Sequence, residues 1–504
     1  MTNYLFDGLF ENMSDLDKTF IEVSDRTSPV SYREFLGETA RLANLLKSAG
    51  VAEGDRVAVQ VQKSVTALAV YFATVRAGAV FLPLNIDYRK EEVSYFLADA
   101  KPKIFVCDGA AAENYSDMSV ELGMTLLTLN ADETGSLADL AAEQSVEFQS
   151  VNRGVDDLAA LVYTSGTTGR SKGAMVTHGN LLSNAKALSE EWHFEADDVL
   201  LHALPIFHVH GLFIATNTVI AAGASMVFLP KFDAATALEQ LPNVTVLMGV
   251  PTFYTRLLNE PRFDKKTCAN MRLFISGSAP LLAETHRQFE AQTGHAILER
   301  YGMSETNINT SNPYVGDRVA GTVGLPLSGV AVRISDPESG EMLEQGNIGM
   351  IEISGPNVFK GYWQMPEKTT AEFRSDGFFM TGDLGLIDER GYVSIVGRGK
   401  DLIITGGYNV YPKEIELIVD AVDGVVESAV IGLPHSDFGE TVVAIVVQDG
   451  SKKLSEADVV GAIDAKIARF KQPKKIIFLS ELPRNTMGKV QKNKLREQFS
   501  NLFD

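Results

Sequence analysis

The chain is 504 residues long, 45% hydrophobic and 9% aromatic, with 45 Lys+Arg against 65 Asp+Glu and a formal net charge of −20. That length predicts roughly three domains or subdomains around a sizeable core, and the acidic balance argues against nucleic acid as a partner. Its two cysteines, Cys107 and Cys268, lie far apart without metal-ligand spacing, which excludes a disulfide framework or a zinc site and fits a reducing cytoplasm.

In chain order, residues 1–8 (MTNYLFDG) lack a basic segment followed by an apolar one, so no signal peptide is expected. Residues 32–49 carry an amphipathic helical pattern, 56–61 read as a strand, 65–77 as a helix, and 103–107 and 158–163 as strands. Strand patterns recur at 197–204, 225–229 and 245–249. This alternation predicts an α/β architecture with crossover helices. The longest apolar stretch, 212–229, is broken by Thr216, Asn217, Thr218, Gly223 and Ser225, and reads as buried core instead of a membrane span.

Near Gly397 the texture changes to shorter units: a strand at 402–405, a helix from Pro412, strands at 427–431 and 442–447, a helix at 455–470 capped by Ser455, and a strand at 475–479. The reading is a large N-terminal α/β domain of several subdomains, residues 1–398, followed by a small α+β domain, residues 399–504. Within the latter, Lys466, Arg469, Lys471, Lys474, Lys475, Arg484, Lys489, Lys492, Lys494 and Arg496 face a single acid, Glu481. Such a run is by default a solvated basic face; the functional alternative is a surface that meets polyphosphate.

Residues 163–173 (YTSGTTGRSKG) pack three glycines, hydroxyl side chains and Lys172 into one loop after a strand. Gly166, Gly169 and Gly173 let backbone N–H groups approach an anion, Thr164, Ser165, Thr167 and Thr168 add donors, and Lys172 adds charge. The order Ser171-Lys172-Gly173 excludes the phosphate loop of nucleotide hydrolases, which ends in Gly-Lys-Ser/Thr. A flexible surface loop without a ligand has the same composition.

Four further segments combine glycine with polar groups: 205–211 (PIFHVHG), 299–306 (ERYGMSET), 381–385 (TGDLG) and 483–489 (PRNTMGK). Singly, each is compatible with a structural turn. Together, and in this order along essentially the whole chain, they resemble the acyl-activating, adenylate-forming superfamily of acyl-CoA synthetases, luciferases and adenylation domains.

That resemblance implies a two-step acid–thiol ligase using ATP and Mg²⁺, with CoA as co-substrate. It implies that Thr164, Ser165, Gly166, Thr167, Thr168, Gly169 and Lys172 hold the β- and γ-phosphates of ATP, while Gly277, Ser278, Ala279 and Tyr301 form the adenine slot. Glu305 would hold the metal, Ser304 would contact phosphate where the family usually has threonine, and Asp383 with Arg398 would bind the ribose. Lys489 would reach the acid and the α-phosphate, which makes it, with Lys172 and Glu305, the catalytic set. The resemblance also implies a small domain that rotates about Lys400, between Gly397 and Gly399, so that Gly406 and Gly407 line a pantetheine tunnel that His208 gates.

Residues 249–256 (GVPTFYTR) run from a strand into a helix, and Arg256 there has two readings: outward and solvated, or inward beside a second carboxylate. This segment, with 276–280 (SGSAP), 307–313 (NINTSNP) and 483–492, resembles malonyl-CoA synthetases. The resemblance implies malonate as the acid, held by Arg256 and Ser278 with His208 and His210 nearby. Val209 departs from the threonine usual between those histidines. The alternatives are a ligase for methylmalonate or another short acid, and an enzyme that loads a protein-bound phosphopantetheine. A cytoplasmic monomer or homodimer without nucleic-acid or membrane partners is expected.

Overall fold

The computed structural model describes residues 3–23, 28–164, 171–405, 408–435, 438–450, 454–464, 466–467, 469–485 and 488–503. Two sheets form the bulk of the N-terminal part. One has six strands in the order Thr125–Thr128, Ile104–Cys107, Arg56–Gln60, Val80–Pro83, Leu158–Thr164, Lys172–Thr177. It is parallel except for the last pair, Leu158–Thr164 and Lys172–Thr177, which is antiparallel. The other has nine strands, with a parallel centre of Val199–His202, Val246–Gly249, Leu273–Ser276 and Leu298–Met303. Asn307–Ser311 returns antiparallel beside Leu298–Met303, with Leu325–Pro326 beyond it.

Period-2 alternation explains how the six-stranded sheet is covered on both faces. Val57 and Val59 point into the main core shared with the nine-stranded sheet, while Ala58 points into a second core with Leu82, Phe105 and Leu161. Helix Val65–Arg76 fills the main core; all twelve of its residues are buried, as expected of a helix apolar on every side. Helix Tyr32–Ser48 packs against it and begins with a reciprocal Ser31–Glu34 capping box. The 212–229 stretch is buried, and no helix among the described residues is long and apolar enough to cross a membrane.

A four-stranded antiparallel sheet, Ala331–Ser335, Gly349–Ser354, Phe379–Ile387 and Val393–Arg398, leads to the C-terminal unit. There the central hairpin Val425–His435/Gly439–Gln448 carries Ile403–Thr405 on one side and the parallel strand Lys475–Leu479 alongside, with its own apolar cores. This is the mixed α/β architecture expected, with a large N-terminal and a small C-terminal part.

One element is shorter than its pattern. Ser455 caps as expected, with the Asp458 N–H donating to its hydroxyl, but the helix runs only Glu456–Asp464. A separate 3-10 turn, Arg469–Lys471, follows; Gln472 donates to the Asp464 carboxylate, and Pro473 bars further helix. Half of the basic run is neutralised internally: Lys471 pairs with Glu414, Lys475 with Glu456, Arg484 with Glu427, Lys492 with Glu416 and Arg496 with Asp401.

Candidate active site

The chemistry-bearing segments converge at the carboxyl ends of the parallel strands, where open α/β sheets bind ligands. Residues 165–170, and with them Ser165, Gly166, Thr167, Thr168 and Gly169, lie outside the described residues, as do Gly406 and Gly407. The stems of the glycine loop are well defined. Tyr163 donates its hydroxyl to Asp99, and Tyr95 donates to the carbonyl of Ser171 at 3.0 Å, so helix Lys90–Ala100 anchors both sides.

Lys172 opens strand Lys172–Thr177 and is 7% exposed. Its ammonium lies 3.2 Å from Glu372 Oε1 and 4.2 Å from the centroid of the Tyr362 ring. The Tyr362 hydroxyl sits 2.6 Å from Glu372 Oε2 and 3.2 Å from Glu305 Oε1, and Thr164 also donates to Glu305 Oε1 at 3.2 Å. Burial raises the pKa of Glu305, opposed by the hydrogen bonds and by Lys172. Ser304, half-buried, precedes it in the same turn.

Asp383 and Arg398 are Cα partners in the antiparallel ladder, which places the guanidinium Nε 2.7 Å from Asp383 Oδ1. The buried Tyr301 donates to Asp383 Oδ2 at 2.5 Å, so the carboxylate joins two separate sheets. Thr381 orients it further by accepting from the Asp383 N–H at 3.0 Å.

Gly277, Ser278 and Ala279 follow strand Leu273–Ser276, with Ser278 at φ +69. The Ser278 hydroxyl lies 3.1 Å from His210 Nδ1, and the His210 N–H donates to His208 Nδ1 at 3.3 Å. His210 begins a π-helical turn, His210–Ala215, a widened geometry common where side chains must be aimed at a site. Burial holds both imidazoles neutral: it pushes His208 down to about 3, helped by Lys489 and Arg300, and His210 well below the usual range.

Lys489 sits on a C-terminal loop closed by Asn485, whose side chain accepts from the Lys489 N–H at 2.9 Å. The preceding Gly488, at φ +74, approaches Thr252 at the start of helix Pro251–Leu258. Lys489 is an exposed residue, although the protein around its ammonium desolvates it in part. Burial is the first cause of its lowered pKa, with Arg398 and Arg300 acting in the same direction and Asp383 and Glu305 opposing. The charges of Arg398, Asp383, Glu305 and Arg300 thus all act on this lysine. Lys400 is exposed in the turn Gly399–Asp401, where Asp401 is tied to Arg496 at 2.6 Å.

Arg256 does not take the inward position. It is exposed and its side chain makes no hydrogen bond or ion pair among the described residues, because helix Pro251–Leu258 turns Phe253, Tyr254 and Leu257 to the core instead. The buried guanidinium is Arg300, at 5% exposure, which packs so closely on Gly277 that a Cβ there would lie 2.3 Å from its Cζ. Its Nε and Nη2 have no hydrogen-bond partner among the described residues, and burial pushes its pKa down to about 9. Arg300 stands beside Tyr301 in the 299–306 segment; an arginine inside a buried strand was the available signal. Tyr362 and Glu372 carried none, since each reads as an ordinary turn or helix residue.

Two family models match the chain: AMP-binding enzyme over residues 12–363 and AMP-binding enzyme C-terminal domain over residues 414–489. The chain belongs to the AMP-binding enzyme family, the class of two-part adenylate-forming enzymes. It is similar to ATP-bound MatB from Rhodopseudomonas palustris at 58% identity, with both chains fully covered and a TM-score of 0.98. The apo form of that protein, at the same identity and coverage, gives 0.88, so the arrangement seen here follows the ATP-bound form more closely. It is also 34% identical to a malonate–CoA ligase of Arabidopsis thaliana, over 90% of this chain and 79% of that protein.

Proposed function

We propose that this chain is a malonyl-CoA synthetase: malonate and ATP give malonyl-adenylate and pyrophosphate, and CoA then gives malonyl-CoA and AMP. The observation that carries the choice of acid is Arg300. A guanidinium with two nitrogens unpaired among the described residues, buried beside Ser278 and neutral His210, is costly without an anion and well placed for the second carboxylate of a short diacid. The similarity to a malonate–CoA ligase supports the same reading. Arg256, free of partners one helical turn beyond Thr252, joins by folding its exposed side chain over the bound acid.

With Arg300 and Ser278 holding one carboxylate, the other reaches toward Lys489, whose ammonium offsets the repulsion between an attacking carboxylate and the α-phosphate. The carboxylate oxygen bonds to the α-phosphorus as the bond to pyrophosphate breaks. Lys172 and the glycine loop, with Ser304, take the leaving pyrophosphate; Gly277, Ala279 and Tyr301 hold adenine, and Asp383 with Arg398 holds the ribose. Glu305 suits Mg²⁺, because it is a hard oxygen donor whose Oε2 carries no hydrogen bond among the described residues. When bound, the ion supplies charge neutralisation at the phosphate oxygens.

In the second step the CoA sulfur attacks the acyl carbon and AMP departs. Residues 1–398 stay fixed while 399–504 turn at Lys400, which withdraws Lys489 and brings Gly406 and Gly407 to the thiol's path near His208. The enzyme works on small molecules in the cytoplasm, as a monomer or homodimer, without membrane or nucleic-acid partners. The test is pyrophosphate release and acyl-CoA formation across short mono- and dicarboxylic acids, methylmalonate included. Malonate should be preferred, and a monocarboxylate used equally well refutes the assignment.

A further inference from the structure

The Lys172–Glu372 ion pair has no place in the reaction as described, yet it holds the cation assigned to the phosphates. Glu372 ends helix Pro366–Glu372, where the helix dipole disfavours a carboxylate. Three groups compensate. Lys172 and Lys368 approach Oε1 at 3.2 and 2.7 Å, and Tyr362 donates to Oε2 at 2.6 Å. Lys172 likewise has a second support, the Tyr362 ring face at 4.2 Å. The pair can therefore open without leaving either charge alone: Glu372 keeps Lys368 and Tyr362, while Lys172 keeps the ring and gains an anion. Breaking a buried pair is expensive when one partner is stranded, and here neither is. The lysine backbone stays fixed, because Lys172 is laddered to Thr164, so only the ammonium changes partner.

On the reading that Lys172 binds the β- and γ-phosphates, we infer that Glu372 is an internal competitor of those phosphates. It is a positioning residue that gives up Lys172 when ATP enters and reclaims it as pyrophosphate leaves. The exchange weakens ATP binding and speeds product departure, an advantage where the leaving group is a tetra-anion facing a buried cation. Lys368 sets the balance, since it competes with Lys172 for Oε1.

The test is steady-state kinetics of the full-length enzyme with pyrophosphate as product inhibitor. Glu372→Gln, nearly isosteric, should lower KM for ATP and the inhibition constant of pyrophosphate by about threefold or more, with KM for the acid unchanged. Lys368→Met should shift both the other way, because Lys172 then has Glu372 to itself. A merely structural role predicts a lower melting temperature without these opposed shifts. A raised or unchanged KM for ATP in Glu372→Gln overturns the inference. Lys172→Ala separates the underlying reading: it should raise KM for ATP about tenfold and erase the effect of Glu372→Gln. If Lys172→Ala leaves KM for ATP unchanged, the phosphate role of Lys172 itself is wrong.

Discussion

Gly277 and Arg300 occupy adjoining space that admits no side chain between them: a Cβ on the glycine would overlap the guanidinium carbon at 2.3 Å. The strands they extend run parallel, with Ser276 opposite Glu299, so their ends bring the turn before Ser278 against the buried arginine. Gly277→Ala should displace the guanidinium and raise KM for malonate more than KM for ATP. An increase in KM for ATP alone would assign Gly277 to the nucleotide.

Arg300→Met keeps most of the bulk and removes the charge. Stranding a carboxylate in that pocket should raise KM for malonate about 100-fold or more, with ATP binding unaffected. Arg256→Ala should cost less, about tenfold, because an exposed side chain must be ordered before it binds. Calorimetry with malonate and with ATP separates the two. An Arg300 variant with normal malonate affinity would remove the main support for a diacid.

Lys489 belongs to the C-terminal unit, and the proposed mechanism uses it in the first step alone. Lys489→Ala should slow malonate-dependent pyrophosphate release by about 10²-fold or more while sparing malonyl-CoA formation from supplied malonyl-adenylate and CoA. Loss of both half-reactions would contradict that division.

Glu299 is 6% exposed, and burial pushes its pKa from 4.5 to about 8, against one hydrogen bond from the Gly321 N–H and the field of Lys413. A carboxyl with a raised pKa favours the protonated folded state. Between about pH 4.5 and 8 the wild type should therefore lose stability relative to Glu299→Gln, by roughly 1.4 kcal/mol per pH unit. The melting temperatures should coincide near pH 4 and diverge toward pH 8, the variant being higher. Parallel curves would mean that the carboxyl titrates normally.

Much of the fold was legible because its strands and helices are cleanly periodic: the readings at 56–61, 65–77 and 475–479 meet strand Arg56–Gln60, helix Val65–Arg76 and strand Lys475–Leu479 to within a residue. The 455–470 helix was read too long because local pattern does not register a side chain, Gln472, that folds back on the helix end. The site's motif residues were legible for a different reason, since glycine beside hydroxyls and charge has little use in a core. The orientation of Arg256 was not legible, because eight residues of amphipathic helix do not say which face meets the cleft. Arg300 was hidden by its neighbours, and Tyr362 and Glu372 acquire meaning only once residues more than fifty positions apart meet around Glu305 and Lys172.

Helix Val65–Arg76 has no solvent-facing side. Any change along it must be absorbed by the core around it, so it works as a keel, fixing the sheets on either side of it as a single hull. Efforts to retune which acid is accepted therefore have room at the rim, around Arg256 and Ser278, and almost none in the timber beneath.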